Sequence, residues 1–254
     1  MKGKKVVALN GSSRKGNTCR VLEDLGVRFA AAGIDFKIIH LKEHDIKHCM
    51  GCERCITKGR CPLKDDLESL QGTLTDADGL VLSSPVYIGC VSGRLKDFFD
   101  RTCSWYHRPV LVGKPVLLVT TTAGSYASYT AKYMKRTAIG WGMHPAGCIL
   151  RNVRTLNNRV TEGEYDEFLH CLSVPSSHYR PSLAQLIHFQ VQKVLALKIL
   201  EIDTAFWKKN GWDSRLYYYR CRIGLLKRLC AAFFYRLLFS RVKKINRKEM
   251  SRKK

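Results

Sequence analysis

Lys5-Val6-Val7-Ala8-Leu9 is a short apolar run that stops at a glycine-rich stretch, and the next apolar positions, Val21, Leu25 and Phe29, fall four residues apart. Side chains repeat every two residues along a strand and every 3.6 along a helix, so the pattern predicts strand, loop and helix in that order. The alternation continues. Residues 36–39, 79–83, 115–121 and 144–150 read as strands, and residues 65–74, 92–103, 129–140 and 162–171 as helices. Each crossover helix must pack back over the strands it joins, so alternating elements of these lengths predict a parallel sheet covered on both faces.

Five strands is the flavodoxin-like count, and the expected class is α/β, a flavodoxin-like, doubly wound, five-stranded parallel sheet within residues 1–175. Val174-Pro175-Ser176-Ser177 reads as a break. Beyond it, residues 181–254 are expected to form a basic, aromatic, helical extension. There Ser182 can cap a helix carrying Leu183, Ile187, Val191, Val194, Leu195 and Lys198. Residues 220–242 form a second predicted helix, with Leu226, Leu229, Cys230, Phe233 and Leu237 on one stripe.

Composition changes this picture in two places. The formal charge of +23 suggests nucleic acid until it is divided along the chain: residues 208–254 hold 16 Lys/Arg against Asp213 and Glu249, a net of +14, leaving +9 for the rest. Packing of the apolar stripe is the first reading of this tail, peripheral membrane contact the second, and nucleic acid the weakest, because aromatics and cations interleave with no recognition motif. The 11 cysteines are an odd number, and four crowd between Cys49 and Cys61, which suggests ligands rather than disulfides. No stretch reaches the roughly 18 apolar residues of a membrane span, and the start reaches its glycine loop too early for a signal peptide. A cytoplasmic protein is expected.

Asn10-Gly11-Ser12-Ser13-Arg14-Lys15-Gly16-Asn17-Thr18 joins the first strand to the first helix. Glycines let a backbone approach an anion, hydroxyls and amides donate to it, and a helix N-terminus adds unpaired N–H groups. The loop is neither GxGxxG nor a nucleoside-triphosphate loop, and suits one terminal phosphate. A polar turn with a helix cap is the plain alternative. In a doubly wound sheet, however, ligands lie outside the carboxyl ends of the strands where their order reverses. Ser83-Ser84-Pro85-Val86-Tyr87-Ile88-Gly89 and Thr120-Thr121-Thr122-Ala123-Gly124-Ser125 end the third and fourth strands, so three strand ends offer hydroxyls, glycines and an aromatic ring to one crevice.

These loops, together with Leu95-Lys96-Asp97-Phe98-Phe99-Asp100-Arg101 and the cysteine block, resemble the NAD(P)H-dependent FMN reductases and, among them, the iron-sulfur flavoproteins, over residues 4–170. The resemblance implies FMN held by Ser12, Arg14, Asn17 and Thr18 at its phosphate, by Pro85, Val86, Tyr87 and Gly89 along its ring, and by Thr121 and Gly124 at the pocket's edge. Ser13 stands where proline is commoner, and Cys90 directly follows the turn. Hydride transfer to flavin is the cofactor's own chemistry, so no catalytic acid or base is assigned. Tyr87 can stack on the ring or simply pack.

Cys49, Cys52, Cys55 and Cys61 follow the spacing C-x2-C-x2-C-x5-C. Three readings stand: a [4Fe–4S] cluster, a structural zinc, or free thiols. The iron-sulfur flavoprotein resemblance implies the first. His44 and His48 are expected at the surface, Asp65 and Asp66 as caps of the next helix, and Cys19, Cys90, Cys103, Cys148 and Cys171 as small buried residues. The function expected is an FMN-dependent oxidoreductase in a homo-oligomer, passing electrons from NAD(P)H or another donor to a small-molecule or protein acceptor. The alternative is a flavodoxin-fold carrier or redox sensor without turnover.

Overall fold

The computed structural model describes residues 3–244. Strands β1 (Lys5–Asn10), β2 (Asp35–His40), β3 (Gly79–Pro85), β4 (Pro115–Thr121) and β5 (His144–Arg151) form one parallel sheet in the order β2-β1-β3-β4-β5. Strand order reverses between β1 and β3, so the sheet has the flavodoxin-like arrangement expected from the alternation of elements. The helices are α1 (Asn17–Ala31), α2 (Arg54–Thr57), α3 (Leu67–Asp76), α4 (Gly93–Arg101), α5 (Cys103–His107), α6 (Ala127–Gly140), α7 (Asp166–Ser173), α8 (Leu183–Lys198), α9 (Glu201–Lys209) and α10 (Leu225–Arg241).

The pleat sorts neighbouring residues into two cores. Val6, Ala8, Val81, Leu117 and Val119 meet Leu22, Leu25 and Phe29 of α1 and Phe168 and Leu172 of α7. Val7, Leu9, Leu80, Leu82, Val116 and Leu118 face the other way, toward Leu70 of α3, Leu95 and Phe98 of α4, and Met134 of α6. Covering each such Leu, Val or Phe removes it from water at a gain of about 1.5–3 kcal/mol. With both faces covered, all of β4 is buried, which is why its sequence runs apolar rather than alternating.

The predicted helix over 92–103 is interrupted at Thr102, giving α4 and α5. Ser92 caps α4, its Oγ accepting from Leu95 N. The single turn α2 and the helix α9 lack a readable period in the sequence and were not among the expected elements.

The extension builds a third core of Leu186, Phe189, Trp207, Trp212, Tyr217, Tyr218 and Ala231. Its central helix, α8, buries Gln185, Gln190, Gln192 and Lys193 alongside apolar residues, whereas Leu183 of the expected stripe is exposed. Gln192 Nε2 donates to Tyr106 O (2.5 Å) and Gly140 O (2.8 Å), and Gln190 Nε2 donates to Leu216 O (2.9 Å). Element ends leave carbonyls that need donors, and the buried amides supply them. The stripe expected to pack inward from α10 is also corrected: Leu226, Leu229, Cys230, Phe233 and Leu237 are exposed, and Ala231 faces the core. Residues 245–254 of the basic tail lie outside the described residues.

Candidate functional site

Asn10 ends β1 fully buried, where its Oδ1 accepts from Ser12 N (2.9 Å) and bends the chain out of the sheet. Gly11 N donates to Ser83 O (2.9 Å), and Ser92 Oγ donates back to Gly11 O (2.6 Å), so the first and third strand ends are stitched together. A Cβ on Gly11 would stand 2.9 Å from both Leu95 Cβ and Ser92 Oγ, which leaves no room for a side chain. Ser12 is buried, its Oγ donating to Arg14 O (2.9 Å), while Arg14 and Lys15 reach solvent.

The N-cap of α1 is Gly16, with no side-chain acceptor and no acidic residue in the first turn. Those N–H groups therefore keep their partial positive charge for an external anion, beside the exposed Arg14 and Lys15. A phosphate fits this donor set. Thr18 and Thr121 are both buried and their hydroxyls share a hydrogen bond of 2.6 Å, so Thr18 offers a ligand its backbone rather than its side chain. Asn17 Oδ1 accepts from Arg20.

At the third strand end, Val86 N donates to Thr121 O (2.9 Å), and Tyr87 and Cys90 exchange backbone bonds of 2.9 and 3.0 Å around Ile88 and Gly89. Both tip residues have positive φ, 48° and 72°. That is the primed two-residue turn, and a β-branched residue in it is strained. The turn is held from behind by Thr130 Oγ1 donating to Gly89 O (3.2 Å). Val86 N–H is spent on β4 and Tyr87 N–H within the turn, which leaves those of Ile88 and Gly89 at its tip. Ile88 is fully exposed and Tyr87 is 45% exposed, as befits a platform rather than a packed core.

Thr121 and Gly124 flank the fourth-strand loop, which is tied by Gly124 N donating to Thr122 Oγ1 (3.0 Å). After it come exposed Tyr126, in the left-handed region, and exposed Tyr129. A cleft of about 1030 Å³ runs along Val86, Ile88, Gly89, Tyr126, Tyr129 and Arg136. Tyr126, Tyr129 and Arg136 were not among the expected site residues; the two tyrosines follow closely on Gly124 of a strand-end loop, a signal the sequence offered, whereas Arg136 lies deeper in α6 and had none.

The cysteine block coils above α4 and α5, with Glu53, Gly51 and Gly59 at positive φ. Cys49 and Cys52 are exposed, Cys55 and Cys61 half-buried. Burial raises the Cys55 pKa, and Cys61, Cys49 and Cys52 add to the rise, so the sulfurs share one neighbourhood. Cys103 lies there too, half-buried rather than buried as expected, its pKa raised by burial and then by Cys55 and Cys49. Cys148 is exposed rather than buried.

Two arginines carry this loop. Arg101 donates to Lys47 O (2.7 Å) and pairs bidentately with Asp65 at 2.5 and 3.1 Å, both side chains almost wholly buried. Burial opposes the Arg101 charge, but Asp65 and then Cys61 outweigh it, and the guanidinium pKa is raised. Burial likewise works against ionised Asp65, yet bonds from Arg101, Lys47 and Leu67 hold the carboxyl below its usual range. Asp65 is thus a clamp as well as a helix-start residue, whereas Asp66, at the N-cap of α3, makes no side-chain cap bond there. Arg108 donates to Cys55 O (2.5 Å) and Ile56 O (3.1 Å), and ion-pairs with Asp203 of α9. His48 is exposed against Asp97, and His44 lies 3.6 Å from Asp66, as surface residues should.

A cavity of about 590 Å³ separates the block from α4, α6 and α8, lined by Cys49, Cys55, Tyr106, Tyr133, Arg136 and His188 among others. Tyr133 and Arg136 also line the strand-end cleft, so the two spaces share a wall.

An iron-sulfur flavoprotein of Archaeoglobus fulgidus is 28% identical over 228 residues, covering 82% of this chain and 99% of the relative. A second from that organism is 34% identical over 165 residues, covering 63% and 78%, and one of Clostridioides difficile is 28% identical over 226, covering 81% and 98%. Among solved structures, RosB shares the fold at TM-score 0.53 and 11% identity, covering 88% of this chain and 92% of its own. An azoreductase of Bacillus anthracis does so at TM-score 0.52 and 12% identity, covering 67% and 100%. Residues 4–154, which hold all three strand-end loops and the cysteine block, match the sequence model of the NADPH-dependent FMN reductases, and the chain belongs to that family.

Proposed function

We propose that this chain is an FMN-dependent oxidoreductase fed by NAD(P)H or another two-electron donor, with a [4Fe–4S] cluster on Cys49, Cys52, Cys55 and Cys61 serving an electron acceptor. The observation that carries the reading is the wall of Tyr133 and Arg136 shared by the strand-end cleft and the cysteine cavity. When bound, FMN supplies hydride acceptance and single-electron release, and a cluster supplies one-electron transfer.

The chain's own residues bind and orient. The start of α1, with Ser12, Arg14 and Asn17, would hold the phosphate; the tip of the Pro85–Gly89 turn and Tyr87 would hold the ring; Thr121 and Gly124 would bound the pocket. FMN rather than FAD is supported by a loop suited to one terminal phosphate. For the cysteines, the donor set fits a cluster better than zinc. Among the described residues, the trio with ligand atoms within 4.8 Å of one another is His144, Glu167 and Cys171, far from this block in sequence. Tetrahedral zinc at about 2.3 Å from each sulfur needs tighter convergence than a cubane does.

The test is an ultraviolet-visible spectrum of protein purified without oxygen, followed by addition of NADPH or NADH. Flavin and iron-sulfur absorption together, with rapid bleaching, are expected. Flavin that no nicotinamide bleaches favours the carrier or sensor reading instead.

A further inference from the structure

We infer that the outward face of α10 is a docking surface for an anionic lipid bilayer. α10 is apolar on two sides. Its inner side, with Ala231 fully buried and Tyr235 and Phe239 under Lys193 and Lys198 of α8, is satisfied within the chain. On the outer side Leu226, Leu229, Phe233 and Leu237 are 75, 58, 70 and 38% exposed. Spaced by three and four residues, they make one continuous stripe. At 100° per residue, Arg236 borders the stripe on one edge and Arg241 on the other. Both are exposed, as are Arg222, Lys227 and Arg228.

Charge chooses the occupant. Between Asp213 and Glu249 the chain has 11 Lys/Arg and no acidic residue. A second copy on this face would set the cations flanking the stripe against those of its twin, because a two-fold interface pairs one patch with itself and α10 has no acidic residue to relieve them. A nucleic-acid strand would meet three Leu side chains and a single ring, that of Phe233, where it needs donors and a succession of stacking surfaces. A bilayer surface meets both demands: the stripe sinks toward the acyl boundary while flanking guanidinium groups stay among anionic headgroups. Among the described residues no helix is long and apolar enough to cross a membrane, so the contact lies in the surface plane.

The test uses the full chain, FMN-loaded, in flotation with vesicles of phosphatidylcholine alone or mixed with about equal parts of phosphatidylglycerol. Binding to the mixed vesicles is expected, weakening at high salt. Leu229→Glu with Phe233→Glu should cut it at least about tenfold while the flavin spectrum and elution volume stay unchanged. Phe233→Trp should show a blue-shifted emission on adding mixed vesicles, which charge contact alone does not produce. Three results overturn the inference: no binding to mixed vesicles, binding indifferent to the double Glu variant, or a smaller assembly for that variant without lipid, which would make the face a subunit interface.

Discussion

Thr18 and Thr121, 103 residues apart, share a buried hydroxyl bond of 2.6 Å that ties the start of α1 to the end of β4. Converting either to Val strands the partner's hydroxyl in a dry place, at a cost of about 1–3 kcal/mol, while converting both removes donor and acceptor together. The double variant should therefore lose less stability than the sum of the singles, a non-additivity that denaturant titration of the four proteins measures directly. Additive losses would mean the hydroxyls do not bond each other.

Ser12 and Thr18 replaced together by Ala should weaken FMN retention by about tenfold, as the buried loop loses Ser12's grip on Arg14 O and its tie to β4. Gly11→Ala should do worse, because its Cβ would enter Leu95 and Ser92. Equilibrium dialysis of FMN against the variants decides the matter. Unchanged affinity in the Ser12 and Thr18 double variant places the phosphate elsewhere.

The unbroken apolar run of Val6 to Leu9 and the four-residue spacing of Val21, Leu25 and Phe29 made the sheet and its first helix readable, because a strand buried on both faces must be apolar throughout and a helix buried on one face repeats with its turn. The Thr18–Thr121 contact has no such period, since only the fold brings those residues together. Asp203 lies in α9, a helix with no readable period, and nothing local connects it to Arg108. On α10 the more apolar stripe was expected to pack inward. The face beside it won because Ala231 is small enough for close approach to α8, and lysines above the Tyr235 and Phe239 rings supply favourable cation contacts.

Acid should loosen the loop beside the fourth-strand end. Glu164 is pulled down to about 2, chiefly by the hydrogen bond from Arg151, the residue that ends β5 and whose carbonyl accepts from Thr122 N. A carboxyl depressed from about 4.3 contributes stability that is fully present above that value and lost as pH falls toward the folded pKa. Wild type should thus exceed Glu164→Gln in stability near neutrality, and the gap should close between about pH 4 and pH 2. Thermal melts of both proteins across that window check it, and a gap that persists at the acid end rules the pairing out as its source.

Iron and sulfide analysis after oxygen-free purification should give about four of each per chain, the stoichiometry of the proposed cluster. Zinc alone, or no metal, would sink the assignment of Cys49, Cys52, Cys55 and Cys61 as cluster ligands.

Asp203 supplies the sharpest test of how the extension serves the site. Its carboxylate, 1% exposed, neutralises Arg108 and also hydrogen-bonds His107 Nδ1 at 2.9 Å, while Arg108 holds the carbonyls of Cys55 and Ile56. Asp203→Ala leaves a buried guanidinium without its counter-charge, a defect that costs about 3–5 kcal/mol in comparable pairs. The strand-end loops proposed to hold FMN all end by Ser125, so this variant should keep FMN and lose metal from the cysteine block. Two truncations separate the roles within the extension. Ending the chain before Leu225 removes α10 and should leave both FMN and metal in place. Ending it near Pro181 removes Asp203 as well, and should retain FMN while the metal content falls with that of Asp203→Ala. If the longer truncation instead loses FMN although it folds, the extension completes the flavin pocket itself, and the site cannot be divided in this way.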